Sequence, residues 1–126
     1  MAKTKLLKNK KMNTATFELR KEVMKIIYEA KQIFGTMPRI TVRITENNGT
    51  TLGLAAMKGN TIWIPERTVS GDRKRFLREV VYHELCHALW GIEHNENCPL
   101  MSSVIGQRPL DRDQVQTIFK QYSQGQ

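Results

Sequence analysis

The stretch from Phe76 to Trp90 constrains this chain more than any other. It reads Phe-Leu-Arg-Glu-Val-Val-Tyr-His-Glu-Leu-Cys-His-Ala-Leu-Trp. Phe76, Leu77, Val80 and Val81 lead in, and Ala88, Leu89 and Trp90 follow, so the segment predicts a substantially buried helix. A carboxylate buried between two imidazoles is costly without a cation to pair with. On a helix, residues four apart lie one turn above each other. His83 and His87 then share a face and can bind one zinc ion at about 2.0–2.1 Å each. Glu84, turned about 100° from His83, can reach a water on that metal without occupying a coordination position. A carboxylate so placed can take a proton as the water attacks a carbonyl, then return it to the leaving amine. The competing reading is a surface helix that carries His-Glu-x-x-His by chance. The apolar flanks argue against it, as does the confinement of all three histidines to residues 83–94.

Elsewhere the pattern is that of one domain. The 126 residues contain 40% hydrophobic positions, enough for a single core without disulfides. Apolar residues from Phe17 to Phe34 recur at helical spacing, with Gly35 as the stop. Ile40, Val42 and Ile44 alternate as in a half-buried strand, and Asn47-Asn48-Gly49 marks a turn. Residues 51–57 and 61–64, joined by Lys58-Gly59-Asn60, predict a hairpin. The active helix is expected from about Asp72, capped by Ser70 or Asp72, to about Trp90. Residues 91–108, with Gly91, Pro99 and Gly106, read as loop, ahead of Pro109. Asp111 and Gln114 have capping-box spacing for a last helix bearing Val115, Ile118, Phe119 and Tyr122. The expected fold class is α+β: a small, mainly antiparallel twisted sheet packed on an N-terminal helix and the active helix, with a C-terminal helix.

The formal charge of +8 invites a nucleic-acid reading. Five lysines, Lys3, Lys5, Lys8, Lys10 and Lys11, crowd the first eleven residues without an acid. The rest holds 15 basic against 12 acidic residues. Residues 1–13 are thus expected to be a solvated, flexible tail ahead of a domain spanning 14–126. A weak nucleic-acid contact is the other use of the tail. Arg73, Lys74, Arg75 and Arg78 form a second basic cluster, read as a solvated helix face. No secretory signal or transmembrane run is visible, so a cytoplasmic location is expected, with Cys86 and Cys98 as free thiols.

The third metal ligand is open between two neighbours. A continuous helix would put His94 about 10 Å along the axis from His87, too far to share an ion. A turn at Gly91 lets His94 swing back. Glu93 competes, since carboxylates also bind zinc. Cys98 as a fourth ligand is a weaker option. Cys86 points away from the histidine face.

His83-Glu84-x-x-His87-x-x-x-Gly91-x-x-His94, followed by Leu100-Met101-Ser102-Ser103, resembles the metzincin zinc peptidases and their matrixin branch most closely. The likeness covers residues 77–122, with one extra residue, Trp90, before the glycine. Counted from His87, the family's third ligand falls on Glu93; counted from Gly91, it falls on His94. The resemblance implies a methionine turn at Met101 beneath the zinc. It also implies a substrate-pairing edge strand at Gly53, Leu54, Ala55 and Ala56. The spelling His-Glu-Leu-Cys-His-Ala-Leu-Trp is similar, too, to the active helix of SprT-like proteases, small intracellular zinc enzymes linked to DNA-bound protein substrates.

The chain is therefore expected to be a zinc-dependent endopeptidase acting on peptide or protein substrates. The alternatives are a SprT-like protease acting on DNA-associated proteins and a non-catalytic zinc or nucleic-acid-binding module. The last has no need of Glu84.

Overall fold

A computed structural model describes residues 14–46, 51–105 and 110–126. The tail, the Asn47-Asn48-Gly49 turn, Gly106 and Pro109 lie outside the described residues. The order is α1 (Thr14–Phe34), β1 (Thr41–Thr45), β2 (Leu54–Ala55), β3 (Thr61–Pro65), α2 (Glu66–Val69), α3 (Leu77–Trp90) and α4 (Arg112–Gln124). A single 3-10 turn, Lys74–Phe76, precedes α3.

α1 buries Val23, Ile26, Ile27 and Ala30, positions that fall on one stripe of a helix. It ends at Gly35, whose φ of +95° suits a residue without Cβ and whose N–H donates to the Lys31 carbonyl at 2.7 Å. The buried face of α1 packs on α3, α4 and β1. Ile40 and Val42 are buried and Ile44 partly so, as their alternation predicts.

The α+β architecture is as expected, but the sheet is mixed. Its order is β1-β3-β2. β1 pairs with β3 in parallel over five residues, from Thr41 opposite Thr61 to Thr45 opposite Pro65. Only the two-residue β2 is antiparallel, Leu54 facing Trp63 and Ala55 facing Ile62. The alternation of β1 fixes which face is buried, not which way its neighbour runs. β1 and β3 point the same way because the chain between them crosses over through β2, which leaves β2 on the edge.

α3 starts five residues later than the apolar pattern suggests. Asp72 does not cap it. Its carboxylate is held by Arg67, with Nη2 at 3.0 Å and Nε at 3.3 Å. Ser70 closes α2 instead. The helix then runs through the middle of the molecule, burying eleven of its fourteen residues and packing against α1, α4, β2 and β3. Trp90, its last residue, lies 5.3 Å from Phe34 and 5.1 Å from Phe119, ring centre to ring centre, so it ties the ends of α1 and α3 to the middle of α4. α4 has the predicted capping box. The Gln114 N–H donates to Asp111 Oδ1 at 2.8 Å, and the Asp111 N–H donates to Gln114 Oε1 at 2.9 Å. Among the described residues, no helix is long and apolar enough to cross a membrane.

Candidate active site

His83, Glu84 and His87 come from the centre of α3 and are 3%, 4% and 8% exposed. Gly91 ends the helix in the left-handed conformation, φ +67° and ψ +25°, and its N–H donates to the His87 carbonyl at 2.9 Å. That turn folds the following chain back, and His94 arrives beside the helix pair. Its ring centre lies 5.3 Å from that of His83 and 4.9 Å from that of His87. One ligand nitrogen from each histidine falls within 4.8 Å of the others.

Backbone carbonyls set the imidazole tautomers. His83 Nδ1 is 2.6 Å from the Leu100 carbonyl, and His87 Nδ1 contacts the Ile92 carbonyl. A carbonyl only accepts, so both Nδ1 atoms carry the proton and both Nε2 atoms present lone pairs. Those two Nε2 atoms face each other at 3.1 Å. Two lone pairs cannot hydrogen-bond. Two nitrogens on one tetrahedral zinc ion would be about 3.4 Å apart, so the spacing and protonation fit a shared cation. Burial pushes His83 down to about 4, against the Leu100 hydrogen bond that works to raise it. Burial likewise lowers His87. Burial thus favours the neutral ring at both positions, the form a metal ligand needs.

Burial pushes the Glu84 carboxyl up to about 8, so a cation beside it is what would bring it back to the charged form that acts as a base near neutrality. Gly53 lies directly against it. A Cβ built on Gly53 would be 2.8 Å from Val80 Cγ1 and 2.9 Å from Glu84 Oε2. A glycine is required here for close approach, a reason different from the open edge that the sequence suggests.

A cleft of about 1030 Å³ opens over these groups. Gly53, Leu54 and Ala55 line one side, and Ser103, Val104 and Ile105 contribute to the lining as well. β2 forms an edge of the sheet. Ala56 continues it, its N–H donating to the Thr61 carbonyl at 3.0 Å. Glu93 also lines the cleft but is not in the histidine cluster. Met101 is fully buried in the core, next to Leu100, whose carbonyl orients His83. Cys86 is buried, Cys98 is half-buried, and both are free thiols. Neither belongs to the cluster.

Several contributors escape a reading of the sequence. The Lys58 N–H donates to the His87 carbonyl at 3.0 Å, and the Asn60 N–H donates to the Ala88 carbonyl at 3.3 Å. The tip of the hairpin thus satisfies the last turn of the metal-binding helix. Positive φ at Lys58 and Asn60, 57° and 56°, aims those amides. Only Asn60 gives a signal in advance, because asparagine tolerates that conformation. Arg78 leaves the basic cluster to pair with Glu29 at 3.1 Å, while Tyr82 donates to the same carboxylate at 2.7 Å. Arg73 and Arg75 line the cleft.

Comparison with curated proteins and with solved structures returns no match. The SprT-like family matches residues 10–99, a span that includes β1 to β3, the whole of α3 and the turn to His94. Its members are zinc metallopeptidase-like proteins. With that match over most of its length, the chain belongs to the SprT-like family.

Proposed function

We propose that this chain is a zinc-dependent endopeptidase that hydrolyses peptide bonds in protein substrates. The observation that carries the reading is the convergence of three histidine nitrogens, with both helix imidazoles committed by backbone carbonyls to present Nε2. His83, His87 and His94 would hold the zinc, with His94 rather than Glu93 as third ligand. Bound zinc supplies a Lewis acid that polarises a carbonyl and acidifies a water. Glu84 is the general base, taking a proton and returning it to the leaving amine. The edge from Gly53 through Leu54 to Ala55 offers open backbone groups to an extended peptide, which adds as a further strand, whereas Ala56 spends its N–H on Thr61 and its carbonyl on Gly59. The short Gly91-x-x-His94 return and Met101 as the apolar floor are the metzincin-like features of this SprT-like chain.

The decisive experiment is Glu84→Gln in zinc-loaded protein. Metal content stays at one equivalent and peptide cleavage falls by about a hundredfold or more. Unchanged cleavage refutes the mechanism. Unchanged zinc binding with no cleavage by the parent protein points to a non-catalytic zinc module.

The family match, together with the five lysines of residues 1–11, favours DNA-associated proteins as substrates. Affinity for DNA should then fall steeply with salt and vanish when residues 1–11 are removed. Salt-independent or unaltered affinity refutes that role for the tail.

A further inference from the structure

The cleft is lined by charge of both signs. Arg73 and Arg75 lie just before α3 and line the cleft. The Arg75 guanidinium stacks 4.8 Å from the Phe76 ring centre, which holds a long side chain in place. The nearest carboxylate to Arg73, Asp72, is 3.9 Å away and is held more closely by Arg67. Glu93 lines the same cleft from the segment that follows α3 and is exposed. His83, Glu84 and His87 lie between the arginines and Glu93 in chain order; Leu77 to His83 is about 9 Å of helix, and the turn at Gly91 leaves Glu93 next to His94.

We propose that the two arginines receive an acidic side chain, and Glu93 a basic one, from the same extended polypeptide, on opposite sides of the bond served by Glu84. The cleft then selects the order of charges along its substrate. This deepens the endopeptidase reading and rests on it. An edge strand holds a peptide in one direction, so alternate side chains meet fixed neighbours. Charges of opposite sign at fixed places in the cleft convert that direction into a preference. A polypeptide fits better than a nucleic-acid backbone. Leu54, Val104 and Met57, which are 59%, 53% and 50% exposed, line the cleft with apolar surface that a phosphodiester gains nothing from covering. Glu93 would repel a polyanion.

The test uses zinc-loaded full-length protein and quenched fluorescent peptides with one shared apolar centre. One peptide has Asp before the centre and Lys after it, one has the reverse order, and one is neutral. The parent should cleave one charged order about tenfold faster in kcat/KM than the other, the scale expected for a few partly exposed ion pairs. The pair Arg73→Glu and Arg75→Glu should invert or erase that ratio. Arg73→Gln with Arg75→Gln should reduce it, and serves if the reversed pair does not fold. Equal rates for the two orders in the parent, or a ratio that survives both variants, overturn the proposal. If no peptide is cleaved, fluorescence anisotropy with zinc-loaded Glu84→Gln protein separates the two ideas. An order preference in binding supports the charged cleft while the endopeptidase reading fails, and its absence overturns both. A labelled DNA oligonucleotide supplies the last arm. If the arginine variants lose the oligonucleotide but keep the peptide ratio, the arginines serve nucleic acid and the proposal fails.

Discussion

Gly53→Ala is a one-methyl change whose cost can be worked out from the structure. The added carbon would sit 2.8 Å from Val80 Cγ1, 2.9 Å from Glu84 Oε2 and 3.1 Å from Glu84 Cγ. Ordinary contacts are near 3.5–4.0 Å, so overlaps of roughly half an ångström or more must be relieved. Val80 is fully buried and Glu84 nearly so, so neither can swing into solvent. Overpacking of this kind costs about 1–3 kcal/mol. The stiffer unfolded chain returns about 0.4–1 kcal/mol. The net loss is about 0–2.6 kcal/mol, or as much as roughly 10 °C in Tm for a domain of this size. The displaced group is the proposed base, so a shift of Glu84 should also reduce kcat by about ten- to a hundredfold. Thermal melting and peptide hydrolysis read the two effects separately. Gly125→Ala is the control, since its nearest neighbour would be 3.6 Å away. Gly53→Ala protein with the parent's Tm and kcat would refute the claim that this glycine exists to seat Glu84.

Two further outcomes follow from the geometry. His94→Ala should weaken zinc binding at least about a hundredfold in competition with a chelator, since loss of an outer-shell partner alone costs up to that much, while Glu93→Ala should change it little; the opposite pattern would make Glu93 the ligand. Burial works to raise the Glu29 carboxyl, but hydrogen bonds from Arg78, Tyr82 and Gln116 outweigh it and hold Glu29 below its ordinary 4.5. Its contribution is therefore full above pH 4.5 and is lost as pH falls through the depressed value. Glu29→Gln should cost about 1–2 kcal/mol at pH 7, at the low end for charged hydrogen bonds because Arg78 and Arg112 are 40% and 62% exposed. Urea titrations at pH 7 and pH 3 should show the difference shrinking in acid; a constant difference would refute the linkage.

The elements that carry strong periodic or capping signals were legible in the residues. α1 shows its stripe from Val23 to Ala30, and α4 announces itself through Asp111 and Gln114. The His83-Glu84-x-x-His87 core of the site and the return at Gly91 are visible as spacing. Other features depend on partners distant in sequence. Asp72 looks like a helix cap until Arg67 takes its carboxylate. The parallel pairing of β1 with β3 leaves no mark on either strand, because both bury one face whichever way the neighbour runs. Of the two resemblances, the spelling of α3 shared with SprT-like proteases points to the family that matches. Trp90, the residue out of step with the metzincin pattern, is the aromatic contact between α1, α3 and α4.

The orientation of His83 and His87 rests on the carbonyls of Leu100 and Ile92, groups that every amino acid carries. Changing the side chains at positions 92 and 100 therefore leaves both acceptors in the chain. What the imidazoles require is a path of the right length from Gly91 through residue 101. The loop should tolerate a new spelling that keeps Gly91, His94 and the buried Leu100 and Met101 packing. It should not tolerate the loss or gain of a single residue, which would slide both carbonyls out of register with the rings. In this loop, deletions and insertions would disturb a support that a side-chain scan passes over.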